Sequence, residues 1–138
     1  MLFRSGGNVY EDQEFFDLCD RLGLLVWQDF CMACAVYPQS RDFAQKIEQE
    51  AEHVIRKLRN HPCILLWAGD NEVDEVYDGL GYEADNRYNA ITREVLPRAV
   101  LMNDPYRKFL PSSPYIADRK STRLNSSHAN ESRMPSSA

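Results

Sequence analysis

The residue in this sequence best suited to proton transfer is Glu72, which follows Asn71 and stands five positions after Trp67. A carboxyl group just beyond a buried strand, beside an aromatic wall, is a candidate general acid. The amide of Asn71 offers both a donor and an acceptor, which suits a sugar hydroxyl. The competing interpretation is a solvated acidic loop, because Asp70 and Asp74 are close neighbours.

A second polar pair, Gln28 and Asp29, follows an apolar run that ends in Trp27. The carboxyl ends of parallel strands meet at one edge of a sheet, where barrel enzymes keep their active sites. Gln28 and Asp29 therefore lie where a barrel would place its active site. The alternative for Asp29 is an ion pair or a helix cap.

The cysteines and histidines do not form a recognisable metal motif. Cys31 and Cys34 have the spacing of a redox or zinc pair, but no second such pair completes four ligands. We expect buried free thiols in a reducing setting, no metal and no cofactor.

Composition restricts the classes of partner. The chain has 138 residues, is 43% hydrophobic and 27% charged, and carries a net charge of −5. An acidic chain lacks the basic surface that nucleic acid requires, so no nucleic acid is expected. No apolar run approaches the roughly 20 residues that span a bilayer, so no membrane association is expected either. The first residues show no signal peptide pattern, and neither the localisation nor the oligomeric state can be assigned.

Short apolar runs alternate with amphipathic segments along the chain. The spacing predicts strands over 24–27 and 63–67, each buried on both faces. It predicts a helix over 12–22 that stops at Gly23, and a second helix that begins at Ser40 or Asp42.

Later segments extend the same pattern. The second helix is expected to end at Asn60-His61-Pro62, and a polar loop is expected through residue 85. A helix over 86–102 is predicted to bend at Pro97, and residues 109–115 are predicted to start a further strand.

This alternation predicts an α/β fold with parallel strands. A doubly wound sheet and a (β/α)₈ barrel both fit, but no GxGxxG or P-loop pattern follows a strand. The polar residues at the strand ends favour a partial (β/α)₈ TIM barrel. A full barrel needs about 250 residues, so this chain corresponds to a piece of one.

The composition changes abruptly near residue 119. Residues 119–138 contain six serines, four basic residues and one acidic residue, with no apolar period. This stretch resembles translated vector or adapter sequence. We therefore expect a fold within 1–118 and a disordered, non-native tail over 119–138.

The segment Trp67-Ala68-Gly69-Asp70-Asn71-Glu72 resembles the Trp-x-Gly-(Asn/Asp)-Asn-Glu signature of glycoside hydrolase family 2 enzymes of the β-mannosidase type. Further blocks in the same order are similar to the family, and together they cover most of 1–118. They are Gly6-Gly7-Asn8-Val9-Tyr10-Glu11, Phe16-Asp17-Leu18-Cys19-Asp20, Leu25-Val26-Trp27-Gln28-Asp29-Phe30, His61-Pro62 and Asp104-Pro105-Tyr106-Arg107 with Pro111-Ser112-Ser113-Pro114.

The resemblance implies barrel strands 2–5 of a retaining exo-acting β-glycosidase that hydrolyses terminal β-mannosides by double displacement. Glu72 would be the general acid/base and Asn71 would bind the sugar 2-hydroxyl. Asp29, Trp27 and Trp67 would contribute to substrate binding, Trp67 more as a barrel or pocket-wall residue. The implied partner is a carbohydrate substrate.

Two departures from the family pattern limit this expectation. Ser5 stands where the family turn usually has a Trp, and the family nucleophile, a Glu on strand 7, has no counterpart here. The chain alone is therefore expected to be inactive. A non-catalytic carbohydrate-binding half-barrel, or a β-glucosaminidase or β-galactosidase of the same family, remains an alternative.

Overall fold

The computed structural model describes residues 2–4, 9–80 and 89–115. Within these residues, four strands form one parallel sheet in the order of the chain. The strands are β1 (Leu2–Arg4), β2 (Val26–Asp29), β3 (Ile64–Ala68) and β4 (Lys108–Leu110). The helices are α1 (Gln13–Leu22), α2 (Arg41–Leu58), α3 (Val73–Gly79) and α4 (Leu96–Asn103), the last preceded by a π-helical turn, Ile91–Val95.

Helix α1 ends where the sequence predicts. Gly23 adopts a left-handed conformation with φ of 67°, which an L side chain would make unfavourable. Phe16 and Cys19 are the buried residues of the helix. The chain then turns directly into β2, which begins two residues later than the apolar run indicates.

Helix α2 is the longest of the described helices, with 18 residues. Ser40 caps its first turn, because the side-chain oxygen accepts a hydrogen bond from the Phe43 amide. The predicted apolar face is confirmed at its C-terminal half, where the buried residues are Ala51, Val54, Ile55 and Leu58. These side chains join one core with residues of β2, β3 and α4.

Two expectations about β3 and the chain that follows it are wrong. Leu65 is 45% exposed, so β3 is not buried on both faces within the described structure. The predicted polar loop contains helix α3, which buries Val73, Asp74 and Tyr77. Because one of the buried positions is the charged Asp74, the hydrophobicity pattern of the sequence does not show the apolar face of this helix.

The chain from residue 89 to residue 110 follows the prediction more closely. A helix is present as predicted, and it consists of the π-helical turn followed by α4, with Pro97 in the first turn of α4. A π-turn and a proline both interrupt the regular hydrogen-bond ladder, and the bend at Pro97 stays a prediction. Strand β4 ends at Leu110, so most of the predicted 109–115 strand is irregular chain.

The parallel α/β prediction is confirmed. The described residues form a four-stranded parallel sheet with helices and do not show a closed barrel, so the partial-barrel assignment stays a prediction. No helix in the described ranges is long and apolar enough to cross a membrane. The turn at 5–8, residues 86–88 and the composition change at residue 119 lie outside the described residues, so the domain boundary at 118 remains a prediction.

Candidate active site

The Asn71–Glu72 turn lies at the carboxyl edge of the sheet, where the segments after β2, β3 and β4 meet. Isolated parallel bridges join Ala33 to Asn71 and Asn71 to Ser113. The Asn71 amide donates to the Met32 carbonyl at 2.9 Å. The Glu72 amide donates to the Ser113 carbonyl at 3.0 Å. The backbone of the turn is therefore fixed from both sides.

Glu72 itself has a left-handed backbone, with φ of 62°. This conformation is uncommon for a residue with a side chain and persists only where neighbouring contacts hold it. The Glu72 side chain is exposed at the edge of the sheet. Strain of this kind clusters at functional sites, although here it supports only a hypothesis.

Cys34 contacts the candidate acid/base directly. Its thiol donates to Glu72 Oε2 at 3.2 Å, and Asn71 Nδ2 donates to Cys34 Sγ at 3.6 Å. Cys34 also has a positive φ, of 47°. The hydrogen bond to Glu72 raises the pKa of the Cys34 thiol above its usual range. This cysteine is thus a neutral donor near pH 7. It is a free thiol, as expected, but the expectation of burial is wrong for Cys34, which is exposed.

Asp70 lies beneath the turn and is completely buried. Its Oδ1 accepts hydrogen bonds from the Val73 amide, at 3.2 Å, and from the Ser112 hydroxyl. Burial, with a smaller contribution from the nearby Asp74 carboxylate, raises the pKa of Asp70 to about 7, against the hydrogen bond from Ser112, which lowers it.

A buried ion pair connects α3 to the π-helical turn. Arg93 Nη2 donates to both carboxylate oxygens of Asp74, at 2.7 Å and 2.6 Å. The Arg93 guanidinium also lies 5.1 Å from the centre of the Tyr115 ring, a cation–π distance. This pair fixes α3, which begins directly after Glu72.

The two candidate residues of β2 interact with each other. The Trp27 indole donates from Nε1 to Asp29 Oδ1 at 2.8 Å, so the carboxylate orients the ring. Trp27 is half-buried, and Asp29 is 1% exposed. Within this chain Trp27 is the more accessible of the two to a ligand.

Trp67 is placed in the core. Its side chain is fully buried, stacks on Phe30 with ring centres 5.7 Å apart and donates from Nε1 to Asp104 Oδ2 at 2.9 Å. These contacts indicate a structural role within the described residues. Substrate binding by Trp67, like the other site assignments, remains a prediction.

One group of described side chains has the composition of a metal site. The ligand atoms of Asp17, Asp20 and His61 lie within 4.8 Å of one another. However, Asp20 already accepts from the Cys63 amide and contacts His61 Nδ1, and His61 Nε2 contacts Gln13. These contacts account for the cluster as a structural network before β3, at the opposite end of that strand from Glu72.

Sequence reasoning found Glu72 and Asn71 but gave no site role to Cys34, Asp70 or Ser112. The competing interpretation placed Asp70 in a solvated acidic loop, whereas the structure buries it completely. Ser112 lies forty-two positions from Asp70, so only the parallel pairing of β3 with β4 reveals the contact.

Comparisons with known proteins agree with this geometry. No family model matches the chain. The β-mannosidase of Bos taurus is 41% identical over 117 residues, which are 79% of this chain and 13% of that protein. The β-mannosidase B of Emericella nidulans is 37% identical over 123 residues, covering 80% of this chain and 15% of that protein.

Solved structures agree with the sequence relatives. The crystal structure of a β-D-mannosidase from Dictyoglomus thermophilum matches 84% of this chain and 14% of its own, with a TM-score of 0.78 and 42% identity. A Bacteroides uniformis β-glucuronidase has a TM-score of 0.64 over 78% of this chain at 23% identity, which shows the fold alone.

The chain's parallel sheet and its helices match part of a larger glycosidase domain. The chain is a β-mannosidase-like segment of glycoside hydrolase family 2. The chain spans about one seventh of the length of the β-mannosidases that it matches.

Proposed function

We propose that this chain supplies the acid/base segment of a retaining exo-acting β-glycosidase that acts on terminal β-mannosides. The observation that carries the proposal is the exposed Glu72 carboxyl group, on a turn joined to the segments after β2 and β4. Several β-mannosidases with 36–41% identity over about four fifths of this chain support the choice of sugar.

In the proposed reaction, Glu72 protonates the glycosidic oxygen as the bond to the leaving group breaks. In the second step the same carboxylate takes a proton from the attacking water. Asn71 binds the sugar 2-hydroxyl, a contact that strengthens in the oxocarbenium-like transition state. A second carboxylate acts as the nucleophile, and we propose that it comes from outside this segment.

The remaining proposed roles are supporting ones. Trp27, oriented by Asp29, forms part of the sugar-binding surface beside the turn. Trp67 holds β3 against Phe30 and Asp104 and so fixes the strand that leads to Glu72. The reaction as proposed needs only carboxyl groups and water.

The test uses a segment exchange into the Dictyoglomus thermophilum β-mannosidase, in which residues 9–115 replace the matching part. Glu72→Gln should lower kcat for an alkyl β-mannoside by about 10²–10⁴-fold, since the alkoxide then leaves without a proton. A dinitrophenyl β-mannoside should keep most of its first-step rate because its leaving group needs no protonation. Added azide should restore turnover, since an anionic nucleophile needs no general base.

Glu75→Gln is the matched control, because Glu75 is an exposed glutamate three residues further along. It should leave both substrates and the azide response unchanged. Equal losses on the two substrates, or full activity of Glu72→Gln on the alkyl substrate, would contradict the proposal. Calorimetric titration of the 138-residue chain with mannose tests the binding-protein alternative, which saturable binding without hydrolysis would favour.

A further inference from the structure

Asp70 is a buried carboxyl group that the proposed reaction does not use. It is completely buried, and Oδ2 has no hydrogen-bond partner among the described residues. Burying an ionised carboxylate whose oxygen lacks a hydrogen-bond partner costs much free energy, whereas burying a neutral carboxyl group costs much less.

The groups around Asp70 offset a negative charge there only in part, and the net effect of its surroundings is to raise its pKa. Asp74 and Tyr77 come from α3, and Arg93 comes from the π-helical turn. Arg93 places Nη2 on both oxygens of Asp74, so its charge is already matched. From the segment after β4, Ser112 contributes only a neutral hydroxyl.

Asp70 is linked to the Glu72 backbone through one short segment. The Ser112 hydroxyl donates to Asp70 Oδ1, and the Ser113 amide donates to the Asp70 carbonyl at 3.1 Å. The Ser113 carbonyl in turn accepts from the Glu72 amide at 3.0 Å. The left-handed turn at Glu72 therefore depends on the position of residues 112 and 113.

We propose that Asp70 is a positioning residue for Glu72, which holds the turn in place as a neutral carboxyl group and loosens it on ionisation. Loss of the proton to solvent leaves a buried charge beside Asp74. Water must then enter or Ser112 must move, and either change disturbs the Ser113 contact with Glu72. This inference rests on the proposed function only in giving Glu72 a catalytic role.

Cys34 provides a reporter of the Glu72 position, because its thiol lies 3.2 Å from Glu72 Oε2. The experiment follows iodoacetamide alkylation of Cys34 against pH in the full 138-residue chain, with mass spectrometry of the Cys34 peptide. Glu72→Gln is introduced into three backgrounds: unchanged Asp70, Asp70→Asn and Asp70→Ala. The measured quantity is the shift in the alkylation midpoint that Glu72→Gln causes.

Asp70→Asn keeps the shape of the side chain, and its amide stays neutral at the alkaline pH where thiols titrate. Glu72→Gln should therefore shift the Cys34 midpoint to lower pH most strongly in that background. The shift should be smaller with Asp70, which is ionised at that pH, and smallest with Asp70→Ala, which lacks the contact to Ser112.

Glu75→Gln serves as the control and should give the same small shift in all three backgrounds, because Glu75 acts on Cys34 only through its charge. An equal Glu72→Gln shift in the three backgrounds would overturn the proposal, as would no shift in any of them. The thiol result does not require glycosidase activity, so it remains informative if the proposed function fails.

Discussion

At the scale of single residues, two of the arginine ion pairs differ sharply in their expected contribution to stability. The Asp74 side chain is 0% exposed and that of Arg93 is 18% exposed, whereas Arg98 in its pair with Glu48 is 62% exposed. Removing one partner of a buried pair leaves an uncompensated charge, while an exposed pair is screened by water. The two arginines therefore form a matched comparison.

Arg93→Met should lower the free energy of unfolding by about 3–5 kcal/mol, because it removes the bidentate partner of the buried Asp74 carboxyl group. Arg98→Met should change it by less than about 1 kcal/mol. Urea unfolding of the 138-residue chain and both variants measures the difference. Combining Arg93→Met with Asp74→Leu should recover part of the loss, and similar losses for the two arginine variants would refute the interpretation.

The residue scale also shows the limit of sequence reasoning at this site. Glu72 and Asn71 can be identified because they are adjacent to a recognisable apolar strand. Cys34 contacts Glu72, and both residues have a positive φ. No local sequence pattern predicts that backbone conformation for a cysteine or a glutamate. Asp70 looks like a surface residue until its contact with Ser112 is known.

At the scale of elements, the site depends on how closely the end of β3 approaches the segment after β4. The Gly69 amide donates to the Leu110 carbonyl at 2.8 Å, which continues the β3–β4 ladder beyond the strands. A Cβ atom on Gly69 would lie 2.2 Å from the Pro111 carbonyl oxygen and 3.2 Å from Thr92 Cγ2. A backbone oxygen cannot move aside without displacing the segment that holds Glu72.

Gly69→Ala should therefore lower the thermal unfolding midpoint strongly, with a loss in the range of about 1–3 kcal/mol that is typical of overpacked sites. Gly79→Ala is the control, since nothing lies within 4 Å of its added Cβ and its φ is not positive. Alanine near the end of α3 should leave stability unchanged or slightly increased. Equal melting temperatures for the two variants would show that β3 and β4 do not approach so closely.

The elements themselves were easier to predict than their edges. Helices α1 and α2 carry clear apolar periods, and Gly23 and Ser40 mark their ends by known backbone chemistry. The hydrophobic pattern does not predict helix α3, because one of its three buried residues is the charged Asp74, which pairs with Arg93. The formation of helix α3 therefore depends on tertiary contacts that a local sequence pattern does not contain.

At the scale of the whole molecule, two carboxyl groups in different regions respond to pH in opposite directions. Burial alone would raise the pKa of Asp20, but hydrogen bonds from Cys63 and His61 hold that pKa below its ordinary value. Burial raises the pKa of Asp70 to about 7. Asp20 therefore stabilises the folded chain when it is ionised, and Asp70 when it is protonated.

The sign of each contribution follows from proton binding in the two states. As pH falls below the ordinary range of aspartate, the unfolded chain takes up a proton at Asp20 before the folded chain does, so stability is lost. As pH rises from about 4 to about 7, the unfolded chain loses its proton at Asp70 first, so stability is again lost. The loss assigned to Asp70 is on the order of 4 kcal/mol and is complete slightly above pH 7.

The free energy of unfolding of the full chain should therefore be greatest in mildly acidic solution and should fall at both lower and higher pH. Urea unfolding at a series of pH values, in the unchanged chain, Asp20→Asn and Asp70→Asn, separates the two contributions. Asp70→Asn should remove the decline between pH 4 and 7, because the amide has no proton to lose, while Asp20→Asn should remove part of the decline at lower pH. If the free energies of unfolding of Asp70→Asn and of the unchanged chain differ by a constant amount from pH 4 to 8, Asp70 does not hold a proton in the folded chain. The proposal that a neutral Asp70 positions Glu72 is then excluded as well.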